Sequence, residues 1–263
     1  MNAQNLDAQK PDAQNTPAEI QAFALPPGYD GLAEARRLLR TIRAGALATL
    51  TQDGFPFASL VNVATDVDGA PLILTSSLSA HTQHMLADSR ASLLLSEGGK
   101  GDPLAHPRLT LVGRMGRVEG AARASVKARF LARHPKSALY ADFGDFAFWR
   151  LEIARAHLNG GFAKAASYEG AAILLPADES AFIAALEAET LERLNAGPDF
   201  LRQVAAKAGG PADGRWRVSG LDPEGLDLCA GDLTARAPFS ERATDSTSLQ
   251  QALAALKRAA AAK

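Results

Sequence analysis

The sequence predicts a mixed α+β chain in which an antiparallel β-barrel of six or so strands is followed by a small α+β domain. Three observations carry this. Short apolar runs follow one another through Asp-Gly turns, a hairpin signature. No helix follows each strand, as a layered parallel sheet would require. Past Pro176 the composition shifts to alanine-rich stretches with helical periodicity. At 263 residues the chain exceeds one typical domain of about 150 residues and is long enough to bury a real core. The expected boundaries are a disordered leader over 1–27, a barrel domain over 28–170 and a C-terminal domain over 177–263.

The leader is rich in Ala, Gln, Asn, Asp and Pro, too poor in large apolar groups to offset the entropy of ordering. From Asp30 to Arg43, leucines and Ile42 alternate with Arg36, Arg37, Arg40 and Arg43 at helical spacing. This reads as a helix capped by Asp30 with a solvated arginine face. Gly45–Thr51 and Pro56–Ala64 read as strands joined through Asp53-Gly54, and Asp68-Gly69 leads into a third strand from Pro71 to Leu74. A short helix over Ala80–Ala87 precedes strands at Ala91–Ser96 and Arg108–Glu119, the second with Gly113 and Gly116 as bends or bulges. Pro135 stops a helix over Ala121–His134, and Asp145–Leu158 alternates as a last long strand. The C-terminal domain then reads as helices over Glu179–Leu194 and after Pro198, strands near Arg215–Ser219 and Gly225–Ala230, and a helix from Asp245 to Ala262.

Charge and cysteine content exclude several classes. With 28 basic and 29 acidic residues the net charge is -1, leaving no field to gather nucleic acid or an anionic membrane. The single Cys229 excludes an intrachain disulfide and fits a reducing cytoplasm. No apolar run approaches the roughly 20 residues of a membrane span, so the reading is a cytoplasmic protein with no membrane and no nucleic-acid partner. Dinucleotide fingerprints, Walker loops and zinc helices are absent from the sequence.

The stretch Pro71–His84 carries the chemistry. A strand breaks into Thr75, Ser76, Ser77, Ser79 and Thr82 at a helix start, where unpaired N–H groups and the helix dipole favour an anion. Ser79 sits at the N-cap position and His81 in the first turn. The same pattern describes a capped helix whose hydroxyls bond only backbone and water. Ser59 on the second strand and Arg108, whose guanidinium can fork onto phosphate oxygens, complete the candidate cluster.

Pro56-Phe57-Ala58-Ser59, Leu78-Ser79-Ala80-His81-Thr82, Pro107-Arg108-Leu109-Thr110-Leu111-Val112-Gly113 and Gly160-Gly161-Phe162-Ala163-Lys164-Ala165 together resemble the pyridoxamine-phosphate-oxidase-like, FMN-binding split barrels, nearest to their haem-utilisation (HugZ/HutZ-type) branch. Gly220–Leu228 resembles the small domain fused to that barrel. The resemblance implies a six-stranded split barrel, a homodimer, and FMN at the subunit interface serving an oxidoreductase of unassigned substrate. By motif position it implies Ser59, Leu60 and Val61 along the isoalloxazine ring, and Thr75, Ser76, Ser79, His81 and Thr82 at the phosphate. Arg108 falls on the ribityl-phosphate side. The family's founding oxidases place Arg-Lys where this chain has Ala80-His81. Haem binding or degradation is the alternative, although the fused domain's usual His-Met-Asn-x-Asp-His motif is replaced by Arg193–Pro198, and no histidine follows His157. A non-enzymatic partner-binding dimer is the third implication. No catalytic side chain and no metal site is assigned.

Overall fold

The computed structural model describes residues 25–261, so most of the expected leader lies outside the described residues. Helix α1 (Gly31–Thr41) is capped by Asp30, whose carboxylate accepts the Ala33 N–H at 2.9 Å. Strands β1 (Ala44–Leu50), β2 (Pro56–Asn62), β3 (Ala64–Thr65) and β4 (Pro71–Ser76) follow, then helix α2 (Ala80–Ala87), β5 (Arg90–Ser96) and β6 (Arg108–Arg117). Helix α3 (Ala122–Arg133) leads to β7 (Phe146–Asn159) and β8 (Ala165–Glu169).

These strands form one antiparallel sheet in the order β2-β1-β5-β6-β7-β4-β3, with β8 added to the C-terminal half of β7. The six long strands are those expected of a split barrel, and the two-residue β3 and the five-residue β8 are additions to that count. Strand β8 was not expected, because Asn159-Gly160-Gly161 reads as the end of β7. In fact the Gly160 N–H bonds the Lys164 carbonyl at 2.7 Å and turns the chain back along it. The register slips between Val112 and Gly113, which pair with Arg155 and Ile153, so the bulge is in β7 at Ala154 and Gly113 lies opposite it, a correction to the expectation of a bulge at Gly113 itself. A Cβ on Gly113 would lie 1.9 Å from the Glu152 carbonyl oxygen, which only glycine avoids. The Asp-Gly turns at Gly54 and Gly69 adopt φ of 86° and 102°, the left-handed region that glycine enters at no steric cost.

The barrel interior is filled by Leu47, Val61, Val63, Ile73, Leu93, Leu95, Leu109, Leu111, Met115, Trp149 and Leu151, and α1 closes it with Leu38 and Leu39. Alternation along β1, β5 and β6 places these on one face, as a half-buried sheet requires.

Beyond the barrel, a short α4 (Gly170–Ile173) precedes α5 (Ala177–Asn195), α6 (Pro198–Lys207), β9 (Arg217–Asp222), β10 (Gly225–Ala230), β11 (Leu233–Pro238) and α7 (Ser246–Ala261). The three strands form a second antiparallel sheet, with Asp222–Gly225 turning β9 into β10. Strand β11 was not read from the sequence.

The arginine face of α1 is a correction to the sequence reading, since it is docked rather than solvated. Arg40 is 4% exposed and pairs with the fully buried Asp222 at 3.5 Å, while Arg36 pairs with Glu224 at 2.5 Å. Asp222 also takes a bidentate bond from Arg236, and these cations hold its carboxyl down to about 2 against the opposing effect of burial. Among the described residues no helix is long and apolar enough to cross a membrane.

Candidate functional site

Helix α2 lies across β1 and β2 with His81 and His84 on the face turned to them. Spacing of three residues brings both rings to one side of the helix. His84 Nδ1 meets Thr49 Oγ1 at 3.0 Å, and its ring stands edge-on to Phe57 at 5.2 Å. His81 Nδ1 meets Ser59 Oγ at 3.1 Å and its Nε2 meets Ser79 Oγ at 3.0 Å. The structure therefore gathers Ser59, Ser79 and His81 as the sequence proposes.

Ser79 occupies the N-cap position but does not cap. Its hydroxyl donates to the Ser76 carbonyl at 2.7 Å, so it accepts from His81, whose proton then sits on Nε2 while Nδ1 accepts from Ser59. Thr82 Oγ1 lies 2.8 Å from Ser79 Oγ and donates to Thr75 Oγ1 at 2.8 Å. Ser76 Oγ donates to Asp145 Oδ2 at 2.5 Å, and the Ser77 N–H to the Asp145 carbonyl at 2.7 Å. Each hydroxyl of the expected phosphate cluster is thus engaged within the protein. With no cap, the Ala80 and His81 N–H groups have no acceptor among the described residues. Burial, and then the neighbouring His84, hold the His81 imidazole below its ordinary value, so the ring is neutral at physiological pH.

Leu60 and Val61 part company. Val61 is buried in the barrel, whereas Leu60 is 79% exposed. The Thr51 N–H bonds the Phe55 carbonyl at 2.9 Å, and the Val63 N–H bonds the Arg43 carbonyl at 2.8 Å. The intervening pairs of the same parity, Thr49–Phe57, Leu47–Ser59 and Gly45–Val61, are therefore the hydrogen-bonded ones. Ala58, Leu60 and Asn62 consequently turn their backbone N–H and C=O groups to the free edge of β2, which no strand covers among the described residues.

Arg108 is not brought to this cluster within one chain. It opens β6 opposite Ser96 and Asn159, three strands and three residues from the level of Ser59, on the order of 15 Å away. Its guanidinium donates to the Leu104 carbonyl at 3.1 Å. Phe57, Thr49 and Asp145 join the site without having been singled out, and His84 joins it as the end of the Pro71–His84 stretch. Asp145 stands one residue before β7, whose pairing with β4 sets Phe146 beside Ser76, and only that pairing reveals it.

On the outer face of the barrel sheet, among the described residues, Ala46, Leu60 and Ser167 are exposed and Leu94, Thr110 and His157 half-buried. Registers align Leu60, Ala46, Leu94, Thr110, His157 and Ser167 in one row across six strands, with Ala58, Ala48, Ser92, Val112, Arg155 and Glu169 in the next. Phe55, Leu78 and Leu86 are exposed as well.

A single antiparallel sheet that curls from β2 to β3 without closing, with a polar cluster under the helix at its mouth, defines a split-barrel protein. More closely, the chain belongs to the CREG β-barrel family, whose sequence profile matches residues 26–171. It is 36% identical over 153 residues to the non-canonical heme oxygenase HOZ, chloroplastic, of Arabidopsis thaliana, covering 53% of this chain and 46% of that protein. The chain thus spans about half the length of that relative. The protein Atu2129 of Agrobacterium tumefaciens, of unknown function, superposes with a TM-score of 0.78 at 33% identity, over 88% of this chain and 98% of that one. A heme-binding protein of Mycobacterium smegmatis superposes with a TM-score of 0.53 at 29% identity, over 90% of this chain and 99% of that one. The split-barrel resemblance read from the sequence is borne out.

Proposed function

We propose that the protein is a homodimeric FMN-binding split barrel that acts as an oxidoreductase in the cytoplasm. The observation that carries this reading is the free edge of β2. There Leu60 offers a backbone donor and acceptor one residue from Ser59, whose hydroxyl meets the ring of His81 on the helix whose Ala80 and His81 N–H groups have no acceptor among the described residues. A flat ring system with a hydrogen-bonding edge suits the first, and a phosphate suits the second. These residues fit FMN, which when bound would supply hydride or electron transfer. The chain's part would be to hold the ring edge on β2, seat the phosphate on α2, and fix His81 between Ser59 and Ser79. Phe55, Leu60, Leu78 and Leu86 are exposed, and a second copy seated over them would exclude water from the ring. A buried free Cys229 fits the reducing cytoplasm.

Haem is the second reading, favoured by the relatives from Arabidopsis and Mycobacterium whose names carry it. One experiment separates the two. The purified chain is mixed with FMN or with haemin, desalted, and its absorbance recorded. A retained flavin spectrum supports the first reading, and a retained Soret band the second. A protein colourless after both treatments refutes both and favours a partner-binding dimer without cofactor.

A further inference from the structure

Strand β2 is not alone in presenting a free edge. The second sheet runs β11-β10-β9, so β11 is an edge strand as well. One pair beyond Gly225–Pro238, the Phe239 N–H bonds the Glu224 carbonyl at 2.8 Å, and the register carries the same parity back through Ala237–Leu226 and Ala235–Leu228. Thr234, Arg236 and Pro238 therefore turn their backbone groups outward. The Thr234 and Arg236 N–H groups, and the carbonyls of Thr234, Arg236 and Pro238, have no partner among the described residues.

This edge is recessed. A cavity of about 980 Å³ runs along it, walled by Ala33 and Arg37 of α1 on one side and by Ala208, at the end of α6, on the other. Thr234 Oγ1 donates to the carbonyl of Thr41, the last residue of α1, at 2.9 Å, while Ala235 and Ala237 pack with Val204 and Leu253 on the opposite face of the sheet. A smaller apolar cavity of about 110 Å³, lined by Val204, Leu256 and Ala260, adjoins the first at Ala208 and Pro238 and has room for one aliphatic side chain. None of the α2 residues lines either cavity.

The charge left over in the groove is negative. Arg36, Arg37, Arg40, Arg236 and Arg242 each hold a carboxylate. Asp30 and Glu241 line the same groove and have no cation partner among the described residues, Asp30 serving only as the cap of α1.

We propose that this groove binds an extended basic peptide segment, which adds to β11 as a fourth strand of the second sheet. Its main chain pairs with the free groups of Thr234, Arg236 and Pro238. Its side chains alternate between the two faces, aliphatic ones reaching the small cavity and basic ones the unpaired carboxylates. A second copy's β11 lies equally deep between its own helices, so two such edges cannot meet, whereas a single extended strand can enter.

The test uses the full chain and a blocked peptide of alternating lysine and leucine, with hydrogen exchange at assigned amides as the first readout. In the free chain the Thr234 and Arg236 amides should exchange fast while those of Ala235 and Ala237 are protected, and the peptide should protect the first pair. Protection of Thr234 and Arg236 before peptide is added would give the groove to a second copy or to residues 1–24 of the chain, and overturn the proposal. By fluorescence anisotropy, glutamate in place of lysine, or N-methylation of the peptide backbone, should weaken binding at least about ten-fold. Glu241→Lys should weaken binding of the lysine peptide several-fold, and Ala208→Phe, which fills the junction of the two cavities, at least about ten-fold. A wild-type chain that binds no peptide, or whose affinity is unchanged by N-methylation and by both substitutions, refutes the site.

Discussion

Replacing His134 should remove a specific acid weakness from the fold. The ring is 5% exposed, lies tilted on Phe130 at 4.9 Å, and donates from Nε2 to the Val63 carbonyl at 2.8 Å. Burial, above all, pushes its pKa down to about 4, with Arg133 and Arg43 adding to the effect and the Val63 carbonyl opposing it. The folded value lies below the unfolded value of about 6.5, so the unfolded chain binds the extra proton. Stability from this group is therefore full above about pH 6.5 and is lost as pH falls towards 4. The interval from about 6.5 to about 4, at about 1.4 kcal/mol per pH unit, amounts to about 3 kcal/mol, most of it already gone at about pH 4.5. Urea unfolding of the wild type and of His134→Gln, which keeps a donor for Val63, measures it at about pH 7.5 and about pH 4.5. The wild type should lose about 2–3 kcal/mol more than the variant between the two. Equal losses would refute the argument, since the carboxylates that also titrate in this range are common to both chains.

Other perturbations follow from the same contacts. Glu187→Ala strands the Arg129 guanidinium, 6% exposed, between the Thr65 and Leu221 carbonyls, and should cost about 3–5 kcal/mol in urea unfolding. The Arg129→Met/Glu187→Leu double variant should recover most of that loss. Gly113→Val drives a side chain into the Glu152 carbonyl and should cost about 3 kcal/mol, read as a lower melting temperature. His81→Gln should weaken FMN by about ten-fold and riboflavin far less, because only FMN carries the phosphate; equal effects on both would remove His81 from the phosphate seat.

Much of the barrel was legible because its determinants are local. Asp53-Gly54 and Asp68-Gly69 announce their turns, Pro135 ends α3, and period-two burial marks β5 and β6. What escaped depends on distant pairing. β8 is five residues without a strong apolar alternation, and it exists because β7 is long enough to serve β4 and β8 along the same side. Arg36 and Arg40 look like surface charges until Glu224 and Asp222, more than 180 residues away in sequence, are brought against them. At the site the residue types were readable and their bonding was not. A run of hydroxyls at a helix start does not reveal whether they face outward or bond one another, and here Asp145 and His81 draw them inward. Nor does position along β2 reveal that Leu60 faces outward and Val61 inward until the register with β1 is fixed.

The charge around α2 sets how an anion would be held there. From Thr75 to Ala87 there is no lysine or arginine, so an anion at α2 would meet backbone N–H groups and a neutral imidazole, with the Asp145 carboxylate two hydrogen bonds away. Those donors give direction but little fixed charge, so a phosphate held by them should be bound weakly and with little dependence on salt. Arg108, whose guanidinium donates only to the Leu104 and His106 carbonyls, stands three strands away from that helix start. Leu60→Glu, on the free edge of β2, should abolish FMN retention after desalting, and retention equal to that of the wild type would remove the β2 edge from the ring site.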